Sequence, residues 1–112
     1  MNKFPNYNDG VLHLFKIETD EVNDFPTETL IDLEMRIWFT ELSIFDRTRY
    51  ELGQGGIKLT KKIRIPMYKK ITTKHIVKID DVYHSIFNVA NLTNTNGFKE
   101  TELTLIEYED NN

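Results

Sequence analysis

Cysteine is absent from the 112-residue chain. That excludes disulfides, thiolate zinc sites and thiol catalysis, and it fits a cytosolic site of synthesis. Proline is scarce: Pro5, Pro26 and Pro66 each fall where regular structure is expected to break. No apolar run approaches the roughly 20 residues that span a bilayer. Met1–Tyr7 carries no apolar h-region, so no secretory signal is expected there, and no membrane partner. Catalytic patterns are missing too. Gly53-Gln-Gly-Gly56 precedes a predicted strand rather than a helix, so it lacks the helix N-terminus of a phosphate loop. There is no His-Glu-x-x-His and no nucleophile elbow, and Ser43 and Ser85 have no evident histidine partner. His13 reads as a packed or edge histidine. His75 and His84 are expected to approach each other across a hairpin, but two histidines without a further ligand make a poor metal site. The expectation is a non-enzymatic protein with no cofactor and no metal.

What remains is ordinary for one soluble domain spanning 1–112: 39% hydrophobic and 29% charged residues. Residues 1–10 read as a flexible arm and 109–112 as a flexible tail. The net charge of −4 conceals an asymmetry. Residues 1–46 hold 3 basic and 10 acidic groups, residues 47–78 hold 10 and 1, and residues 79–112 hold 1 and 7. A basic middle between acidic ends implies either a polyanionic partner or charge pairing between neighbouring strands or subunits, and the second is the commoner use of charged strand faces.

Period-two alternation dominates the chain. Ile31, Leu33, Met35, Ile37 and Phe39 alternate with Asp32, Glu34, Arg36, Trp38 and Thr40. Val11–Glu18 reads as a first strand with Val11, His13, Phe15 and Ile17 on one face. Residues 19–29 read as irregular, with a short helix conceivable over Pro26–Leu30. In the basic centre, Ile57, Leu59, Ile63 and Ile65 alternate with Lys58, Thr60, Lys62 and Arg64. Lys58, Lys62 and Arg64 should therefore share one strand face, opposite Asp32 and Glu34 if the two strands are neighbours. Lys74–Ile79 and Val82–Val89 predict a hairpin turning at Asp80-Asp81, with Tyr83, Phe87 and Val89 as the apolar face of its second arm. Asn96-Gly97 is a further turn signal, and Phe98–Tyr108 is a last strand. Glu41–Gly56 is expected to be a long connection, with a short helix at Thr48–Leu52 as its alternative. The predicted fold is mostly β: a small antiparallel barrel or sandwich of about six strands with one long inter-strand loop.

Several segments in order resemble the head-closure proteins of tailed bacteriophages, also called head-tail adaptor or stopper proteins. They are Asp9-Gly-Val-Leu-His-Leu, Arg36-Ile-Trp-Phe-Thr-Glu, Arg49-Tyr-Glu and Lys62-Ile-Arg-Ile-Pro66. Ile76-Val-Lys-Ile-Asp-Asp-Val-Tyr-His-Ser-Ile-Phe-Asn-Val89 and Thr101-Glu-Leu-Thr-Leu-Ile106 complete the set, with Asp80-Asp81 standing where a glycine is commoner. The resemblance implies a structural virion protein at the head–tail interface, made in the host cytoplasm. It implies a homo-oligomeric ring, commonly a dodecamer in the virion, with the isolated chain compatible with a monomer. Its partners would be the portal or adaptor, a tail-completion or tail protein, and double-stranded DNA in the channel. The loop over residues 44–56 would project toward that channel, with Arg47, Arg49, Tyr50 and Gln54 near the lumen. Two other readings remain: an oligonucleotide-binding-type barrel using Lys58, Lys62, Arg64 and a stacking Tyr68, and a tail-completion protein.

Overall fold

Alternation of apolar and polar residues forces most of this chain into strands with one buried face. A computed structural model describes residues 6–20 and 26–109. Six strands occur there: β1 (Gly10–Asp20), β2 (Thr27–Leu42), β3 (Leu59–Pro66), β4 (His75–Ile79), β5 (Val82–Thr93) and β6 (Lys99–Glu107). One helix, α1 (Asp46–Gln54), lies in the β2–β3 connection. Every strand pair is antiparallel, and the ring closes in the order β1-β2-β3-β6-β5-β4. Closure removes the raw sheet edges that a chain of this size would otherwise expose.

The interior is filled with side chains from every strand. Leu12 and Leu14 enter from β1, Phe39 from β2, Ile63 and Ile65 from β3, Val77 and Ile79 from β4, Ile86 from β5, and Leu103 and Leu105 from β6. Ile71 of the β3–β4 connector joins them. β1 therefore buries the face opposite to the longer apolar row: Leu12 and Leu14 point inward, while His13 stays partly exposed. Phe15 is also buried but lies apart from the central cluster, edge-on to Tyr83 at 5.4 Å. β5 differs from expectation in the same way, since His84 and Ile86 are its buried residues. A bulge between Ile86 and Asn88 then changes the parity, so that Val89 packs against the core while Phe87 is exposed.

Gly10 and Phe39 are register partners on β1 and β2. A Cβ at Gly10 would lie 2.7 Å from the Phe39 ring, so the glycine lets the ring close over the strand. The two-residue β4–β5 turn has positive φ at both Asp80 and Asp81, the backbone of a type I′ hairpin. The β5–β6 turn uses Gly97 at φ +85°, while the Asn94 side-chain oxygen accepts from the Asn96 and Phe98 amides.

The β1–β2 pair is much longer than its neighbours. β4 accompanies β1 only as far as Lys16, opposite His75, and β3 pairs with β2 only over Thr40–Leu42. Ile17–Asp20 and Thr27–Leu30 thus form a two-stranded ribbon that continues past the barrel. The helix conceivable at Pro26–Leu30 is not formed; β2 starts at Thr27, because its residues pair with β1 as far as Asp20. At the ribbon's root, β2 inserts Leu33 and Glu34 between the partners of Leu14 and Phe15. Glu34 takes φ +56° there, and its amide donates to the Asp32 carboxylate at 2.7 Å. Among the described residues no helix is long and apolar enough to cross a membrane.

Candidate functional site: the basic strand and the helical arm

β3 carries the basic row, and its cations are answered by β6. Strand register puts Arg64 opposite Glu102 and Lys62 opposite Thr104. The Arg64 guanidinium donates to Glu102 at 2.8 Å, and Lys62 Nζ lies 3.0 Å from the other oxygen of the same carboxylate. A second Arg64 nitrogen is 3.9 Å from Glu100. Burial alone would raise the Glu102 carboxyl, but the hydrogen bonds from Arg64 and Lys62 outweigh it and hold the group below the ordinary carboxylate range. Lys58 precedes the strand and pairs with Glu107 at 3.6 Å. The pairing of strand charges is therefore intramolecular. Its partners are Glu100, Glu102 and Glu107, not Asp32 and Glu34, because β2 meets β3 only at its far end.

The cluster continues into the N-terminal segment. Glu100 is 3% exposed and accepts from Tyr7 Oη at 2.7 Å and from Asn94 at 3.0 Å. Burial, and then the bond to Glu100, push the Tyr7 phenol upward from its usual value. Thr40 Oγ1 donates to the Asn6 carbonyl, and the Glu41 amide donates to Asp9 at 2.8 Å. Residues 6–9 therefore cross the narrow β2–β3 seam.

At the start of β3 a bulge between Leu59 and Lys61 breaks the alternation. Lys61 lies on the parity of the core residues yet reaches Glu41 at 2.7 Å. Beside it His84 is 5% exposed, with Nδ1 2.8 Å from Thr60 Oγ1. Burial, reinforced by the Lys61 charge, lowers the His84 pKa and favours a neutral ring. His75 instead engages Thr72, and β4 pairs His84 with Val77, so the two histidines do not meet. No cluster of three metal-ligating side chains exists among the described residues. Lys61, Glu41 and His84 were not marked by the alternation, since only the bulge brings them together.

The connection over residues 44–56 is helical through Asp46–Gln54, longer than the Thr48–Leu52 helix the sequence offered as the alternative to a loop. It buries no side chain. Its anchors are a bond from Arg49 to the Leu59 carbonyl at 3.1 Å and one from the Ile57 amide to the Leu52 carbonyl at 3.0 Å. Arg47, Tyr50 and Gln54 have the spacing of one helical face, while Arg49 turns back to the barrel. Arg47 pairs with Glu51 at 2.9 Å on the exposed surface. Phe45 is 76% exposed, Tyr50 69% and Trp38 58%. Tyr68 is no exposed stacking platform: it packs against the core, with its hydroxyl 3.6 Å from Met35 Sδ.

No protein-family model matches this chain, and no curated protein matches it either.

Proposed function

We propose that the chain is a structural virion protein of the phage head–tail connector. In this reading it assembles as a ring under the portal or adaptor, closes the DNA channel after packaging and offers a docking surface to the tail. The observation that carries the reading is α1: a helix in the β2–β3 connection that buries nothing and leaves Phe45 and Tyr50 exposed. Apolar groups held out on an arm suit a subunit that completes itself by assembly. The filled barrel suits the same role, because its interior is packed with side chains. A ring would repeat Arg47 and Arg49 around a channel and strengthen their effect on phosphates. An oligonucleotide-binding barrel is the weaker reading, since Lys58, Lys62 and Arg64 are engaged by carboxylates and Tyr68 is packed inward.

The test is a nonsense mutation of the gene in its phage, followed by electron microscopy of heads and quantification of their DNA. Heads that package and then lose DNA, beside finished free tails, are expected. Stable DNA-filled heads with defective tails would move the protein to tail completion and remove α1 from the head channel.

A further inference from the structure

The basic centre of the barrel is answered by carboxylates of the same chain. Lys58, Lys61, Lys62, Arg64 and Lys78 each lie 2.7–3.8 Å from a carboxylate. Two other segments are charged with opposite sign. Between Lys16 and Arg36 the sequence holds seven carboxylates and no base. Of these, Glu18 and Glu28 are exposed on the described ribbon that stands off the barrel. Glu18, Asp20, Thr29 and Ile31 line a shallow groove on it. Between Pro66 and His75 the sequence holds Lys69, Lys70 and Lys74 and no acid. These three lysines are exposed, and none forms an ion pair among the described residues. The connector that bears them ends at His75, opposite Lys16 at the ribbon's base, and among the described residues none of its lysines forms an ion pair with Glu18 or Glu28.

We propose that the acidic β1–β2 ribbon of one copy docks on the basic β3–β4 connector of a second copy. Each chain carries both halves of the contact, so the occupant follows from charge complementarity within one sequence. Such a contact is heterologous: each added copy leaves one ribbon and one connector free, and repetition closes into a ring when the rotation permits. As the ring contact of a connector it rests on the function proposed above; as a contact between two copies it does not.

Charge exchange tests it. One variant carries Glu18→Lys and Glu28→Lys, the other Lys69→Glu and Lys70→Glu, and circular dichroism verifies their folding. Sedimentation velocity at high protein concentration is run in about 50 mM salt and again in about 500 mM, where screening shortens the reach of exposed charges severalfold. The wild type is expected to self-associate at low salt and to dissociate at high salt. Each variant alone should associate about tenfold more weakly or not at all, while their equimolar mixture recovers association, because reversed ribbon then meets reversed connector. If reversal unfolds the chain, Glu18→Gln with Glu28→Gln must show the same weakening. A wild type that stays monomeric at low salt, or a mixture as dissociated as its components, overturns the proposal. Association without a head phenotype would discard the connector reading alone, and a head phenotype without association would discard this contact alone.

Discussion

Arg64 and Glu102 face each other across the β3–β6 ladder, 2.8 Å apart and both largely shielded from water. Lys62 shares the carboxylate, so one acid answers two cations. Replacing Glu102 with Gln leaves both cations facing a neutral amide. We expect a loss of about 1–3 kcal/mol in chemical denaturation, the usual cost of stranding a partly buried charge. The same variant should elute later from heparin than the wild type, because it frees Lys62 and Arg64 to meet a polyanion. Unchanged elution would mean that this face has no latent affinity for phosphate or sulfate.

Gly10 is fixed by the Phe39 ring. A methyl group placed 2.7 Å from a ring that is itself buried must displace it into packed neighbours. Gly10→Ala should therefore cost about 1–3 kcal/mol, the range for overpacked cores. Gly10→Ala combined with Phe39→Leu should recover part of that loss relative to the two single variants. Thermal unfolding of the four proteins measures the coupling directly, and strict additivity would mean that the ring is not what forbids the side chain.

His84 makes stability depend on pH. Its folded-state pKa is lowered by burial and by Lys61, so the unfolded chain takes up a proton first on acidification. Stability supported by the neutral ring is complete above the unfolded value near 6.5 and declines as pH falls toward the folded value. Glu102, also lowered, adds a second loss at more acidic pH, as its carboxylate is protonated. Denaturation midpoints measured from pH 8 to pH 5 should fall for the wild type and fall less for His84→Gln. Equal slopes would contradict a neutral buried histidine.

Much of this architecture was legible in period-two alternation, and what was not has a local cause. Leu33, Met35, Ile37 and Phe39 pack inward as their spacing requires, and Leu103 with Leu105 do the same. Asp80-Asp81 announced a tight turn, which the positive φ of both residues realises. Alternation fails where a bulge changes parity, at Phe87 and at Lys61. It also cannot choose between two apolar faces: β1 sends Leu12 and Leu14 into the central cluster, while Phe15 of the other row is buried apart from it, against Tyr83. Of the candidate residues, Lys62 and Arg64 stand on the expected strand, but register rather than pattern decided that β6 supplies their carboxylates. The outer ribbon, Thr19-Asp20 with Thr27–Thr29, was read as irregular because its exposed polar residues show no apolar face, and paired backbones extend it.

α1 should be the least protected element of the described fold. Nine residues are too few for a stable isolated helix, and this one buries no side chain and has no side-chain bond at its Phe45 N-cap. Its two tethers, through Arg49 and the Ile57 amide, fix where it sits more than whether it stays wound. Hydrogen exchange is expected to show α1 amides exchanging through local opening, orders of magnitude faster than those of β6. Arg49→Ala removes the tether to Leu59 and should accelerate that exchange further without shifting global stability by more than about 0.5 kcal/mol. In an assembly that covers Phe45 and Tyr50, the same amides should become protected. Protection of α1 in the free chain comparable to β6 would show that the arm is rigid before it meets any partner, and the case for completion by assembly would lose its physical basis.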